Sequence, residues 1–195
     1  MSDVIVEFSD GSQKNFPIGT SLLEVIKAFN DDYINSAIAV KLNGELVDLT
    51  RTLNDDCKLE IVTFDSDEGK EVYWHSTSHL MASAVKMLFP NAKLAIGPSI
   101  KEGFYYDFDI DRAFVPEDLE KIEDMMKKIA SADLPFLRSE ISKQDAIQIF
   151  TDLEESYKIE LLNDIEDDKV SIYRHGNFVD LCRGPHVATT GRIKV

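Results

Sequence analysis

Basic residues, cysteines and histidines are all scarce in this 195-residue chain, and each scarcity excludes something. Lys and Arg number 21 against 36 Asp and Glu, a formal charge of -15 that opposes unspecific attraction to polyanionic surfaces such as nucleic acid or anionic membrane. Any contact with RNA must therefore be local, or be helped by other parts of a larger assembly. The two cysteines, Cys57 and Cys182, fall in different expected domains, so the sequence carries no disulfide framework and both thiols are expected reduced. No basic stretch followed by an apolar core opens the chain, and no apolar run approaches a membrane span, so a cytoplasmic protein without membrane contact is expected. GxxxxGK[ST] and GxGxxG are both missing, which removes support for a phosphate-cradling nucleotide enzyme. Repeats and low-complexity segments are missing too.

What is present begins with a small domain over residues 1–63. Val4–Phe8 and the segment through Phe16 flank Ser9-Asp-Gly-Ser12 as a hairpin. A helix follows, with Thr20 as its expected N-cap and Leu22, Leu23, Val25, Ile26 and Phe29 as its apolar stripe, ended by Asn30-Asp-Asp. Ala37–Lys41 and Glu45–Asp48 pair across Asn43-Gly44, and Lys58–Phe64 closes the sheet. This order of elements resembles the β-grasp, ubiquitin-like arrangement, and specifically a TGS domain. Asp55 and Asp56 read as a solvated turn.

The polar segment 64–70 reads as a linker to a second, larger domain over 71–195. A helix is expected from Val72 to Phe89, its core face carrying Leu80, Met81, Ala84, Val85 and Leu88. Lys93–Pro98 and Gly103–Asp109 read as strands, the latter placing Phe104, Tyr106 and Phe108 on one face. A helix opening near Pro116, a strand over Leu137–Ile141, a helix capped by Ser142, a helix over Glu154–Ile165 and a hairpin around Gly176-Asn177 complete the domain. Mixed runs of strands and helices, without strict alternation, place both domains in the α+β class, the second with a central antiparallel sheet.

Three of the four histidines fall in two short motifs, His75-Ser-Thr-Ser-His79 and Asp180-Leu-Cys182-Arg-Gly-Pro-His186. Positions i and i+4 of a helix share a face, so His75 and His79 can address one point, while Gly184-Pro185 can turn His186 back toward Cys182. Either motif alone is common. Together, in a histidine-poor chain, they point to one site. Spacing leaves two chemistries open: a tetrahedral zinc shell of His75, His79, Cys182 and His186, or metal-free donors and bases. His175 reads as an exposed hairpin residue, and Arg183 as either a backbone contact to RNA or half of a surface salt bridge.

His75-Ser-Thr-Ser-His79-Leu, Ile96-Gly-Pro98, Gly103-Phe-Tyr-Tyr-Asp107, Glu155-Ser-Tyr-Lys158 and Asp180–His186 follow one another as they do in bacterial-type threonyl-tRNA synthetases, after an N-terminal TGS domain. The chain resembles the N-terminal part of that family over essentially its whole length, and the HxxxH…CxxxH core alone is similar to the editing domains of alanyl-tRNA synthetases. The resemblance implies an editing fragment of a threonine-tRNA ligase, without the aminoacylation and anticodon-binding domains, that hydrolyses serine from mischarged threonine-specific tRNA. It implies His75 and Lys158 for water activation and charge stabilisation, and Asp180 for orienting Lys158 or binding the substrate ammonium. Cys182 and His186 would position the ester, His79 would support the wall, and Tyr106 would shape the side that excludes the threonine methyl. No cofactor is expected; zinc on the four His and Cys side chains is the alternative, and a non-catalytic binding module is the reading from another class. The expected partners are the aminoacylated end of tRNA and the remaining synthetase domains.

Overall fold

A computed structural model describes residues 3–195; Met1 and Ser2, which open the expected first domain, lie outside the described residues. The chain forms two compact units. One runs through Tyr73 and takes in Gly184–Ala188, and the other comprises Trp74–Arg183 and Thr189–Val195.

The first unit is built from β1 (Asp3–Phe8), β2 (Gln13–Pro17), α1 (Leu22–Phe29), β3 (Ala37–Leu42), β4 (Glu45–Val47) and β5 (Cys57–Thr63). Its sheet has the order β2-β1-β5-β3-β4, with β1 and β5 parallel and the other pairs antiparallel, the expected β-grasp. Alternation decides the faces: Val4, Val6 and Phe8 of β1 are buried together with Leu22, Val25 and Ile26 of α1. The N-cap of α1 is Ser21, one residue after the expected Thr20. Ser21 Oγ accepts the Glu24 amide at 3.3 Å while Glu24 Oε2 accepts the Ser21 amide at 3.0 Å, and this reciprocal pair outcompetes a lone threonine. Thr20 instead donates its hydroxyl to the Pro17 carbonyl at 2.7 Å. Asn43 (φ 50°) and Gly44 (φ 90°) form the expected tight turn between β3 and β4. Ala188 of the returning segment joins this core, and the backbone N–H of His186 donates to Asp48 Oδ1 at 2.9 Å.

The long helix α2 (Asp67–Leu88) begins five residues before the expected Val72, inside the stretch read as linker. Ser66 explains the earlier start, because its Oγ accepts the Gly69 amide at 3.0 Å and Asp67 and Glu68 sit at the positive end of the helix. Gly69 is required there, since a Cβ would lie 1.9 Å from the Thr63 carbonyl oxygen.

In the second unit the two strands expected over Lys93–Pro98 and Gly103–Asp109 appear as four short pieces: β6 (Lys93–Leu94), β7 (Ser99–Ile100), β8 (Gly103–Phe104) and β9 (Phe108–Asp109). β6 pairs with β9 and β7 with β8. The backbones stay side by side between them, with the Asp107 amide on the Ile96 carbonyl at 2.9 Å, but Pro98 has no N–H to give and the ladder is interrupted. Next come α3 (Pro116–Ser131), β10 (Leu137–Ser142), α4 (Lys143–Asp152), α5 (Ser156–Asp164), β11 (Lys169–His175) and β12 (Phe178–Leu181). The antiparallel sheet β10-β11-β12 is the expected centre of the unit. Ala146, Phe150 and Leu162 of α4 and α5 are buried with Val170, Ile172 and Val179 of the sheet. Among the described residues no helix is long and apolar enough to cross a membrane.

Candidate active site

Helical spacing puts His75 and His79 on adjacent turns of α2, their rings 5.0 Å apart and edge to face. Cys182 follows β12 directly. Its amide donates to the Ser171 carbonyl at 3.2 Å, and Ser171 Oγ donates to the Cys182 carbonyl at 2.6 Å, so both backbone groups of Cys182 are tied to β11. The thiol is thereby held with Sγ 3.4 Å from His75 Nε2. The donor atoms of His75, His79 and Cys182 lie within 4.8 Å of one another.

Burial holds the His75 imidazole below its ordinary pKa, with the Lys158 cation adding to the effect and the Asp180 carboxylate opposing it. His79, sealed more completely, is held well below by burial and by the neighbouring His75, Lys158 and His175. Both rings are neutral at pH 7, and each therefore offers one donor and one acceptor nitrogen.

Beside the histidines lies a buried polar network. Lys158, in the first turn of α5, places Nζ 2.7 Å from Asp180 Oδ1 and donates to the Tyr106 hydroxyl at 3.1 Å. The Tyr106 hydroxyl donates to Asp180 Oδ2 at 2.7 Å, and His79 Nδ1 stands 3.5 Å from that same oxygen. Burial and the adjacent Asp180 push the Tyr106 phenol well above its ordinary pKa, so it stays a hydrogen-bond donor. Glu155, at the N-terminus of α5, anchors the helix by accepting the Leu94 amide at 2.8 Å and pairing with Lys86 of α2 at 2.7 Å. Lys158 is thus delivered by a helix fixed at its N-cap.

The structure brings together His75, His79 and Cys182, and joins Tyr106, Lys158 and Asp180 into the adjoining network. Tyr106 is 7% exposed and its hydroxyl is committed to that network. His186 is fully buried in the segment counted with the first unit, where the sequence reading had placed all of 71–195 in one domain. His175, expected to be exposed, is 3% exposed: its ring packs between Phe136 and Phe178, and burial lowers its pKa to about 4. A period-2 reading of β11 puts His175 on the same face as the bulky, buried Tyr173, opposite Val170 and Ile172, on the central strand of its sheet. Sequence reasoning also passed over Glu155 as an anchor. An acidic residue just ahead of a helix was the available signal. A concavity of about 490 Å³ next to Cys182 is lined by Arg138, Lys169 and Arg183 together with Glu140, Asp164 and Asp167. A more spacious apolar one of about 660 Å³, lined by Met87, Leu94, Ile129 and Phe178, contains none of His75, His79 or Cys182.

Residues 4–63 match the TGS domain, and residues 170–195 match the threonyl and alanyl tRNA synthetase second additional domain. The chain carries both of these domains. Over 190 residues it is 50% identical to the threonine–tRNA ligase of Desulforamulus reducens, covering 97% of this chain and 30% of that protein. It is 51% identical over 194 residues to the ligase of Geobacter sp. strain M21 and 50% identical over 194 residues to that of Citrifermentans bemidjiense, each alignment covering 100% of this chain and 30% of the relative. The TGS match coincides with the β-grasp unit, and the second match takes in β11, β12 and Cys182. The chain therefore spans about 30% of the length of the ligases it resembles.

Proposed function

We propose that the site at His75, His79 and Cys182 hydrolyses the ester of serine mischarged onto threonine-specific tRNA. The observation that carries this reading is the 3.4 Å approach of Cys182 Sγ to a neutral His75, beside the Tyr106–Lys158–Asp180 network. Serine and threonine differ by one methyl, and a methylene-sized contact discriminates by only about 1–3 kcal/mol, so a second sieve is needed.

In this mechanism His75 takes a proton from water as the water oxygen forms its bond to the ester carbonyl carbon. The tetrahedral oxyanion collapses, the carbon–oxygen bond to the terminal ribose breaks, and the proton passes to the leaving ribose oxygen. The products are free serine and tRNA with an intact 3′ end. Lys158 supplies the positive field that favours the oxyanion. Of the two roles open to Asp180, the geometry supports orienting Lys158: its two carboxylate oxygens already face Lys158, Tyr106 and His79. Cys182 positions the ester, as does His186 on the strength of the CxxxH spacing. His79 supports the wall, and Tyr106 acts from behind it. The partners are the aminoacylated tRNA end and, by analogy with the longer relatives, further synthetase domains, in the cytoplasm.

A zinc-dependent hydrolase is the second reading, favoured by the mutual distances within 4.8 Å among imidazole and thiolate donors. That donor set suits Zn²⁺, which would supply Lewis acidity at the ester. The deciding experiment is incubation of the chain with seryl- and threonyl-tRNA of the threonine acceptor. Faster release of serine supports the proposal; equal release, or none, sinks it.

A further inference from the structure

The Tyr106 ring is tightly packed. It stacks on Phe108, with centroids 4.9 Å apart and planes 22° off parallel. It also lies against the backbone at Gly97, where an added Cβ would fall 2.0 Å from Tyr106 Cδ2, 2.5 Å from Cε2 and 2.7 Å from Cγ. These are ring atoms on the inner part of a rigid side chain, so no rotation of a flexible end can relieve the overlap. Only glycine lets the ring sit at this depth. Its φ is not in the left-handed region, so the requirement is for space and not for backbone freedom.

Gly97 is itself tied to the histidine helix. Ser78, fully buried in α2 between His75 and His79, has Oγ 2.7 Å from the Gly97 carbonyl oxygen and 2.8 Å from the His75 carbonyl oxygen. One hydroxyl thus fastens the turn bearing both imidazoles to the peptide on which Tyr106 rests. Tyr106 in turn bridges Lys158 and Asp180.

We propose that Gly97 and Ser78 are positioning residues that set Tyr106, and through it Lys158 and Asp180, at a fixed depth relative to His75 and His79. Gly97 acts by having no side chain, and Ser78 by clamping the Gly97 peptide against α2. This rests on the hydrolytic reading for its consequence in catalysis, and on packing alone for its structural part.

The test is a double-mutant cycle between Gly97→Ala and Tyr106→Ala, followed both by seryl-tRNA hydrolysis and by thermal unfolding. Gly97→Ala is expected to lower kcat by about 10²-fold, the order found for ångström-scale misplacement, with KM nearly unchanged. In the Tyr106→Ala background, where the ring that meets the new methyl is gone, Gly97→Ala should change neither kcat nor the unfolding temperature further. Additive effects of the two substitutions, or an unaltered kcat in Gly97→Ala, overturn the proposal. Should Gly97→Ala fail to fold, Ser78→Ala takes its place: a loss in kcat of about tenfold at constant KM, again absent in the Tyr106→Ala background, is expected, and an additive loss overturns it. If the unaltered chain releases no serine, the hydrolytic reading fails, and the unfolding cycle alone still judges the packing claim.

Discussion

Lys158 Nζ stands 2.7 Å from Asp180 Oδ1 with both side chains all but closed to solvent, and neither charge has water to fall back on. Attraction inside such a pair is offset by the desolvation of both ions, so the pair itself adds little net stability. Removing one partner is a different matter. Asp180→Ala and Lys158→Ala should each cost about 3–5 kcal/mol, because each strands the opposite charge. The double variant should cost clearly less than the two single losses together, and urea unfolding at pH 7 of the four proteins measures it.

Hydrolysis should depend on His75 far more than on His79. His75→Ala is expected to slow release of serine from seryl-tRNA by about 10²–10⁴-fold, the range of a lost general base, while leaving the unfolding midpoint within a few degrees. A rate unaffected by the substitution would remove His75 from the chemistry.

Stability of the second unit should fall on acidification below about pH 6.5, with His175 contributing beside the buried His75 and His79. The folded pKa of His175 is about 4, lowered by burial from an ordinary 6.5, so the unfolded chain binds the proton first as pH drops. The stabilising contribution is fully present above pH 6.5 and is lost as pH falls toward 4. His175→Phe should flatten that part of the pH–stability curve, as read by denaturant midpoints between those limits; a curve identical to that of the unaltered chain contradicts the assignment.

Chelation separates the two chemistries proposed for the His and Cys cluster. The metal-free mechanism predicts that protein dialysed against a chelator hydrolyses seryl-tRNA at an unchanged rate. About one zinc per chain by elemental analysis, with activity lost on chelation and regained with zinc, would establish the other mechanism.

A local prediction concerns the first unit. Ser21→Ala removes one half of the reciprocal cap of α1 and should cost about 1 kcal/mol. Thr20→Ala should cost less, since its hydroxyl meets only the Pro17 carbonyl in a turn. Chemical denaturation of the two variants distinguishes them.

Short-range signals carried most of the fold. The Asn43-Gly44 turn, the α1 stripe and the hairpin of β11 and β12 all lie within a few residues of the pattern that announces them. Where the pattern misleads, the deciding residue lies outside the element itself. α2 begins early because Ser66 caps it, and Tyr106 leaves the regular pleat because the paired segment contains Pro98. The two halves of the site were legible as motifs, and Tyr106, Lys158 and Asp180 through the family resemblance. The clamp of Ser78 on Gly97 was not, since neither a serine in a helix nor a glycine before proline says what lies across from it. For His175 the turn residues Gly176 and Asn177 outweigh the strand alternation with Tyr173 in the sequence, whereas its neighbours in space, Phe136 and Phe178, are aromatic.

The return of Gly184–Ala188 to the first unit bears on the order in which the protein can be completed as it is made. Everything through Tyr73 leaves the ribosome early, yet the core there still lacks Ala188, and Asp48 still lacks the His186 amide. The β-grasp sheet, whose five strands all lie within Asp3–Thr63, can pair early, while these two contacts wait until the second unit has been translated. At about 5–20 residues per second that interval is about 6–23 seconds, during which the seat of Ala188 and the Asp48 carboxylate stand open. Truncating the chain before Gly184 would make that waiting state permanent.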